Sequence, residues 1–485
     1  MNSQNLSGVI LAAGKGTRAY PYTQRIPKAM LDICGRPLIQ FSLELMRDKL
    51  GIKDIVIVVS EKNGMIEQRF GDGHDLGLNI CYRVNDAVEK GPVYSLSLAE
   101  SKISAERFVV MLSDEIYLDS NHEAILGTDY RDEDILVTAR PNSLIRDISK
   151  NFSIDFVDGR ISRLIEKPTS SENGLLGCGT YVFRRDVFDQ IREEFRTPGP
   201  ATDNLTAFIA NRLVNGAKVG YVPLGGNYIN VNYHHDVNRA RSMARTAMFA
   251  DPKVSLIMPC LSDSAGFEDV VRTSIDAGRV DEVLLVVHEH TKEFDRVASK
   301  YGARLIVAKS ESRGLAPLIR TGVRESTGDI IAVMAADGTF EIGDLDKLLA
   351  YIYDAEMVVG TRTARQLIDQ GSNMDIVARL SNYFLAKFIE ALWVTHLVRL
   401  SDVGCVWRVF WRYSYDAVID RVDAERGEFL IDMVIEMLLY RFQLIELPVR
   451  YCISIDEQAV RFRERNLATF FRIIKLALSK RLKTL

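Results

Sequence analysis

The chain has 485 residues, 47% of them hydrophobic and 26% charged, with a formal net charge of -4. That is the composition of a folded globular protein, and the length exceeds what one simple core holds, so two or three domains are expected. The near-neutral balance excludes a general nucleic-acid binder, although the last stretch of the chain is markedly basic.

The six cysteines, Cys34, Cys81, Cys178, Cys260, Cys405 and Cys452, form no CxxC pair. Such scatter in a long chain is expected of free thiols in a reducing compartment, not of a structural zinc site. The opening MNSQNLSGVILAAG has no basic stretch before its apolar run and does not read as a signal peptide. No apolar run reaches the roughly 18 residues that a membrane span needs. The expected location is the cytoplasm, at most peripheral at the inner face of the membrane.

In chain order, Val9–Ala13 is a buried-strand run that ends in a glycine-rich loop, and Pro37–Lys49 has apolar residues at helical spacing. Ile55–Val59, Ile80–Val84 and Phe108–Leu112 are further strands. Buried runs alternating with helices predict a mostly parallel sheet covered on both faces. After Leu136 the strands shorten (Ile154–Phe156, Ile161–Ile165, Gly179–Phe183), and some are expected to be antiparallel. Arg241–Phe249 reads as a closing helix and Asp251-Pro252 as a break. A second series follows with Val254–Pro259, Val283–Val287, Arg304–Val307, Ile330–Met334 and Met357–Val359. The fold class is therefore α/β, in two Rossmann-like mixed-sheet domains, residues 1–250 and 251–485.

Leu11, Ala12, Ala13, Gly14, Lys15, Gly16, Thr17 and Arg18 lie at the carboxyl end of the first strand. Phosphates bind at such ends because small residues let backbone N–H groups approach the anion, and an arginine can bridge its oxygens. A glycine-rich turn alone is weak evidence. Here Tyr20-Pro21-Tyr22-Thr23, Pro27-Lys28-Ala29-Met30-Leu31 and Gly35-Arg36-Pro37-Leu38-Ile39 follow in order. The run resembles the sugar-1-phosphate nucleotidylyltransferase family, whose opening motif is GxGTR, PxT, PKxML and GxPLI, and the resemblance spans roughly the first 240 residues.

The resemblance implies a nucleotidyltransferase α/β fold and transfer of an NMP from an NTP to a sugar 1-phosphate, forming a nucleotide sugar and pyrophosphate. It implies that Leu11 to Gly14, Gly16, Thr17 and Arg18 hold the nucleotide. Glu89 and Gly91, in Glu89-Lys90-Gly91-Pro92-Val93-Tyr94-Ser95, resemble the loop that meets the base. Asp114 stands where the family binds Mg2+. Glu166 and Lys167, in Glu166-Lys167-Pro168, match the residues that meet sugar hydroxyls and sugar phosphate, and Gly179 lies in the strand that floors the sugar pocket. Arg18, Lys28 and Lys167 would neutralise phosphates, and Asp114 would hold the metal, because this chemistry needs cations and positioning more than a covalent nucleophile. Taken singly, Asp114 reads rather as a helix or turn cap, and the bland reading of Glu166-Lys167-Pro168 is a solvated surface turn. One position departs from the family: Asn230 stands where a second metal-binding Asp is expected, so its carbonyl would ligate without charge. His234 and His235 sit at a loop-to-helix junction and read as structural or solvated.

The EKG and YSL elements are similar to cytidylyltransferases acting on a polyol phosphate such as inositol phosphate, or on choline phosphate. The PxT and PKxML frame is similar to uridylyl- and thymidylyltransferases. The acceptor stays open between them.

In the second half, Val254–Pro259, Gly328 through Asp337-Gly338, Gly360-Thr361-Arg362, Asp402-Val403-Gly404 and Ile445–Val449 resemble family 2 glycosyltransferases near the dolichyl-phosphate-mannose synthases, an A-type glycosyltransferase fold. The resemblance implies an Asp pair where Val287-His288-Glu289 stands, and an Asp-Ala-Asp metal motif where Ala335-Ala336-Asp337 stands. Asp337 and Asp402 remain as a possible glycosyltransferase site. Three readings stay open: a nucleotidyltransferase with a degenerate helper domain, a bifunctional nucleotide-sugar synthase and glycosyltransferase, and a non-catalytic regulatory protein. Homo-oligomer formation is a further expectation.

The tail carries Arg461, Arg463, Arg465, Arg472, Lys475, Lys480, Arg481 and Lys483 among Leu467, Phe470, Phe471, Ile474 and Leu478, which recur at helical spacing. A basic amphipathic helix either packs its apolar face on the domain or lies on an anionic bilayer, and packing is the commoner fate.

Overall fold

The computed structural model describes residues 6–24, 26–60, 64–127, 132–142, 144–171, 173–196, 204–262, 266–310, 312–370, 372, 376–393, 399–425, 428–454 and 467–483. It divides into two compact units, Met1–Ala244 and Arg245–Leu485. All six cysteines are free thiols, four of them buried.

The first unit runs β1 (Leu6–Ala12), β2 (Asp32–Ile33), β3 (Arg36–Pro37), α1 (Leu38–Leu50), β4 (Asp54–Ser60), α2 (Gly64–Phe70), β5 (Asn79–Asn85), α3 (Gly91–Ser97), β6 (Arg107–Leu112) and β7 (Glu115–Leu118). It continues with β8 (Ile135–Pro141), α4 (Ile145–Ile148), β9 (Phe152–Val157), β10 (Arg160–Glu166), β11 (Leu175–Arg184), α5 (Val187–Arg196), α6 (Leu205–Val214), β12 (Val219–Pro223), β13 (Asn227–Asn230) and α7 (His234–Met248). The main sheet has the order β10-β9-β11-β6-β1-β4-β5, with β8 joined to β11 and β12 to β8. β1 is parallel to both neighbours, β4 and β6. Every residue of β1 is buried, as expected of a central strand with cover on both faces. Gly51, at φ 64°, ends α1 in the left-handed conformation that frees a helix to turn back into a strand.

The expected shorter strands are antiparallel: β9 pairs with β10, and β11 pairs with β6, β8 and β9. Two short strands that periodicity does not flag, β7 and β13, form a separate antiparallel ladder with Asn230 opposite Glu115. The closing helix begins at His234, two turns before Arg241. Asp236, in its first turn, accepts the backbone N–H groups of Asn232 (3.0 Å) and Tyr233 (2.8 Å), half of a capping box that fixes the helix start.

The second unit runs β14 (Val254–Cys260), α8 (Phe267–Asp276), β15 (Glu282–Val287), α9 (Lys292–Tyr301), β16 (Arg304–Val307), α10 (Leu315–Glu325), β17 (Ile330–Val333), α11 (Leu345–Ile352) and β18 (Met357–Thr361). It ends with α12 (Ile376–Leu392), β19 (Arg408–Trp411), α13 (Arg412–Val418), α14 (Phe429–Leu439), β20 (Leu444–Pro448) and α15 (Leu467–Leu482). Its sheet order is β16-β15-β14-β17-β19-β18-β20. β19 is antiparallel to its neighbours β17 and β18, whereas the other pairs are parallel. The division between units falls inside α7. Arg245, in the last turns of that helix, is buried with the second unit, where its guanidinium meets Glu356, the Tyr413 hydroxyl (2.9 Å) and the Tyr353 carbonyl (2.7 Å).

Candidate active site

β1 lies between β4 and β6, at the point where the connections leave in opposite directions. In open α/β sheets such a switch point leaves a crevice outside the strand carboxyl ends. The loop after β1 occupies it. Gly14, Lys15, Thr17 and Arg18 are exposed, whereas Leu11, Ala12 and Ala13 are buried at the strand end. Gly16 sits at φ 64°, and a Cβ there would stand 3.2 Å from Lys28 Cβ and from Thr23 Cγ2. The Thr23 hydroxyl donates to the Gly16 carbonyl at 2.8 Å. The PxT and PKxML elements therefore buttress the glycine loop directly.

Lys28 carries this contact onward. Its ammonium is 2.6 Å from the Asp114 carboxylate and 3.2 Å from the Asn232 side-chain oxygen. Asp114 follows β6, and the Ser113 N–H donates to the Leu11 carbonyl at 3.3 Å, which holds the ends of β1 and β6 together. The loop, the lysine and the carboxylate thus form one connected corner.

Beside it lies a carboxylate that the motifs did not mark. Glu115 is buried and accepts the Tyr117 hydroxyl, the Gly179 N–H at 2.7 Å, the Tyr228 hydroxyl at 2.8 Å and the Asn230 amide at 3.4 Å. Burial, reinforced by the neighbouring Asp114 charge, pushes its carboxyl up to about 7, and the Tyr117, Tyr228 and Gly179 bonds only partly offset this. Gly179 is what admits it: a Cβ there would stand 2.8 Å from Glu115 Cδ and 2.7 Å from Leu112 Cδ1. Gly179 is therefore tied to Glu115 by both its N–H and its missing side chain.

Asn230 donates its amide to Asn151 Oδ1 at 2.8 Å as well as to Glu115. Asn151 is itself oriented, because its own amide donates to the Asp147 carbonyl at 3.1 Å. With acceptors on both sides, the Asn230 NH2 group must face them. Its carbonyl oxygen is then left buried without a partner among the described residues. Such an orphaned oxygen near Asp114 fits a hard cation, since Mg2+ is commonly held by one or two protein oxygens plus substrate phosphates. Among the described residues no group of three or more His, Cys, Asp or Glu side chains is gathered for a metal.

The Asn151 backbone also reaches the Glu166-Lys167-Pro168 element. The Lys167 N–H donates to the Asn151 carbonyl at 2.7 Å, and Lys167 takes φ 46°, a left-handed conformation that costs a non-glycine residue about 1 kcal/mol or more. The Glu166 and Lys167 side chains are exposed and 4.0 Å apart. In the loop before α3, Glu89 is exposed, and Gly91 takes φ 81°. Below that turn, buried Asn85 donates to Ser95 at 2.8 Å and accepts the Ala87 N–H at 2.8 Å, clamping its two ends.

In the second unit Asp337 is buried and accepts the Thr339 N–H at 3.1 Å. Asp402 is buried too, and Arg362 holds both of its oxygens, at 2.6 and 2.8 Å. His288 Nε2 lies 3.1 Å from the Gly314 N–H and carbonyl, and Glu289 pairs with Arg313. Of the tail residues, Arg461, Arg463 and Arg465 lie outside the described residues.

Comparison with known proteins follows the same division. Residues 7–251 match the family model described as nucleotidyl transferase, and residues 255–403 match glycosyl transferase family 2. A UTP–glucose-1-phosphate uridylyltransferase from Synechocystis is 30% identical over 201 residues, covering 38% of this chain and 51% of the relative. A bifunctional IPC transferase and DIPP synthase from Aquifex aeolicus is 28% identical over 246 residues, covering 50% and 53%. The chain spans about half the length of several curated relatives it matches. Among solved structures, the inositol-1-phosphate CTP transferase from T. maritima has a TM-score of 0.42 at 19% identity, over 50% of this chain and 96% of that one.

Proposed function

We propose that this chain, which belongs to the nucleotidyl transferase family through residues 7–251, transfers a nucleoside monophosphate from an NTP to a sugar 1-phosphate and releases pyrophosphate. The observation that carries the reading is the connected corner of Gly16, Lys28 and Asp114: a glycine-rich loop, a cation and a carboxylate buttressed against one another. The relatives named for uridylyl and thymidylyl transfer to glucose 1-phosphate support the acceptor class.

In this reading the backbone from Leu11 to Thr17 and the Arg18 side chain hold the triphosphate, and Glu89 and Gly91 face the base. Lys28 balances the negative charge that gathers when an acceptor phosphate oxygen meets the α-phosphorus. Glu166, Lys167 and Gly179 take the sugar phosphate. Asp114 and the Asn230 carbonyl would hold Mg2+, which when bound supplies further positive charge at the phosphates. Glu115 does not touch substrate. It positions Gly179, Tyr228 and Asn230 relative to one another.

The test is pyrophosphate release with each of the four NTPs against a panel of sugar and polyol phosphates. Release with a sugar 1-phosphate, abolished in Asp114→Ala, is expected. Release with no pair would overturn the reading. CTP with a polyol phosphate or choline phosphate as the productive pair would replace it with the cytidylyl reading.

For the second unit, the bonded state of Asp402 favours a helper domain over a second transferase. Transfer of sugar to a lipid phosphate, lost in Asp337→Ala, would reverse that preference. No helix among the described residues is long and apolar enough to cross a membrane. A cytoplasmic protein with peripheral contact to the membrane is the location this reading takes, and homo-oligomer formation is open to light scattering.

A further inference from the structure

The C-terminal helix α15 is docked by its inward cations. Lys480 is buried 2.8 Å from Asp432 and 2.5 Å from Glu436, and Arg472 pairs with Glu428. Ile473 and Ala477 are buried on the same side. The opposite stripe is apolar and exposed: Phe471 (62%), Leu478 and Leu482 (71%) recur at i, i+7 and i+11. Helix α12 presents a matching stripe, with Ile376, Leu380 (61%) and Phe384 exposed at i, i+4 and i+8. The half-buried Phe470 ring links the two stripes, 5.8 Å from Phe384 on one side and 5.8 Å from Phe471 on the other. Monomeric soluble proteins rarely leave contiguous apolar patches of this kind uncovered.

Charge identifies the occupant. Helix α15 contains no acidic residue. Lys475 lies on the exposed stripe between Phe471 and Leu478, and Lys483 follows Leu482. Among the described residues neither pairs with a carboxylate. A second copy of the chain would bring these lysines against their own images, and a core position would not admit them unpaired. A lipid surface accepts both features, the rings and leucines in the acyl boundary and the ammonium groups at anionic headgroups. The helix is about 24 Å long at 1.5 Å per residue, enough to lie along the surface but, as an amphipathic element, not to cross it. We propose that α12 and α15 together form a seat for an anionic lipid bilayer.

The test is co-sedimentation of the full chain with vesicles of mixed phosphatidylglycerol and phosphatidylcholine, and with vesicles of phosphatidylcholine alone. The wild type should sediment with the mixed vesicles. The Lys475→Glu, Lys483→Glu double variant should bind them at least about thirtyfold more weakly, since loss of the two lysines alone accounts for that factor. Phe471→Ser with Leu478→Ser should lose binding by about tenfold or more. All variants should keep pyrophosphate release and tryptophan fluorescence, which separates this result from misfolding and from failure of the proposed reaction. Wild type left in the supernatant, equal binding to both vesicle types, or variants that bind like wild type would overturn the proposal. So would a wild-type dimer that Phe471→Ser with Leu478→Ser dissociates without any vesicle binding, which would assign the face to a second copy.

Discussion

Glu115→Gln should change how the first unit's stability depends on pH. In the folded chain burial raises the Glu115 carboxyl from 4.5 to about 7. Between those values the folded state holds a proton that the unfolded state has released, so stability falls as pH rises through the interval. At 1.36 kcal/mol per pH unit the loss amounts to about 3 kcal/mol, complete only above the folded value. The group is fully buried, so solvent screening removes little of it. Glutamine cannot release the proton, so the variant should lack this decline. Its amide must still turn one N–H toward a donor among Tyr117, Tyr228, Gly179 and Asn230, which lowers stability at every pH without adding slope. Hydrogen exchange of β6 and β11 amides, read as opening free energy across about pH 4.5 to 8, measures the difference between the two proteins. Trp393, Trp407 and Trp411 all lie in the second unit, so their fluorescence in urea is an internal control that should not move. Parallel pH profiles for wild type and variant would refute the assignment of a raised carboxyl to Glu115.

Asn230→Asp should set a second carboxylate against Glu115 and Asn151, moving the midpoint of that pH decline above about 7; an unmoved midpoint would separate the two residues. Gly179→Ala should cost about 1–3 kcal/mol in the first unit, because the added methyl meets Leu112 and Glu115 well inside contact distance. Exchange of β11 amides reads this, and wild-type protection in the variant would count against the packing. Asp402→Ala should leave Arg362 buried without its counter-charge, at a cost of about 3–5 kcal/mol to the second unit. Tryptophan fluorescence in urea reads that loss, and an unchanged midpoint would free Asp402 for a role other than structure.

The parts of the site that the sequence made legible are those written in contiguous residues. A phosphate loop needs small residues, a cation and a strand end within a few positions, and Leu11–Arg18 displays all three. The long buried strands were legible for the same reason, since β1, β4 and β6 each contain an unbroken apolar run of four or more residues. Glu115 was not, because its donors come from β7, β11 and β13 and are up to 115 positions away. No local period brings Tyr117, Gly179, Tyr228 and Asn230 together. A hint was present: in Glu115-Ile116-Tyr117-Leu118 an acid and a tyrosine alternate with apolar residues, the pattern of a strand with a polar inward face. At four residues each, β7 and β13 are too short for periodicity to flag. Asn151 is the clearest omission. It belongs to no motif, yet its backbone holds Lys167 and its side chain fixes Asn230. The tail pattern located the helix but could not distinguish Lys480, sunk between Asp432 and Glu436, from Lys475, five residues earlier on the exposed stripe.

The second unit shows how a retained acidic residue can mislead. The resemblance to family 2 glycosyltransferases makes Asp402 one of two surviving carboxylates for a metal. In the structure its two oxygens are the counter-charge of a buried guanidinium, and Glu446 in turn holds the Ser401 and Asp402 N–H groups at 2.7 Å. Turning Asp402 toward a metal would strand Arg362 in the interior, a cost of about 3–5 kcal/mol. The metal would have to recover that from a site already lacking the carboxylate that Ala335 replaces. Glu289 is likewise paired with Arg313. His288, which burial holds toward its neutral form, is turned onto Gly314. The case for glycosyl transfer therefore narrows to Asp337, while Arg362 and Asp402 account for themselves as the joint that fastens the end of β18 to the turn leading into β19.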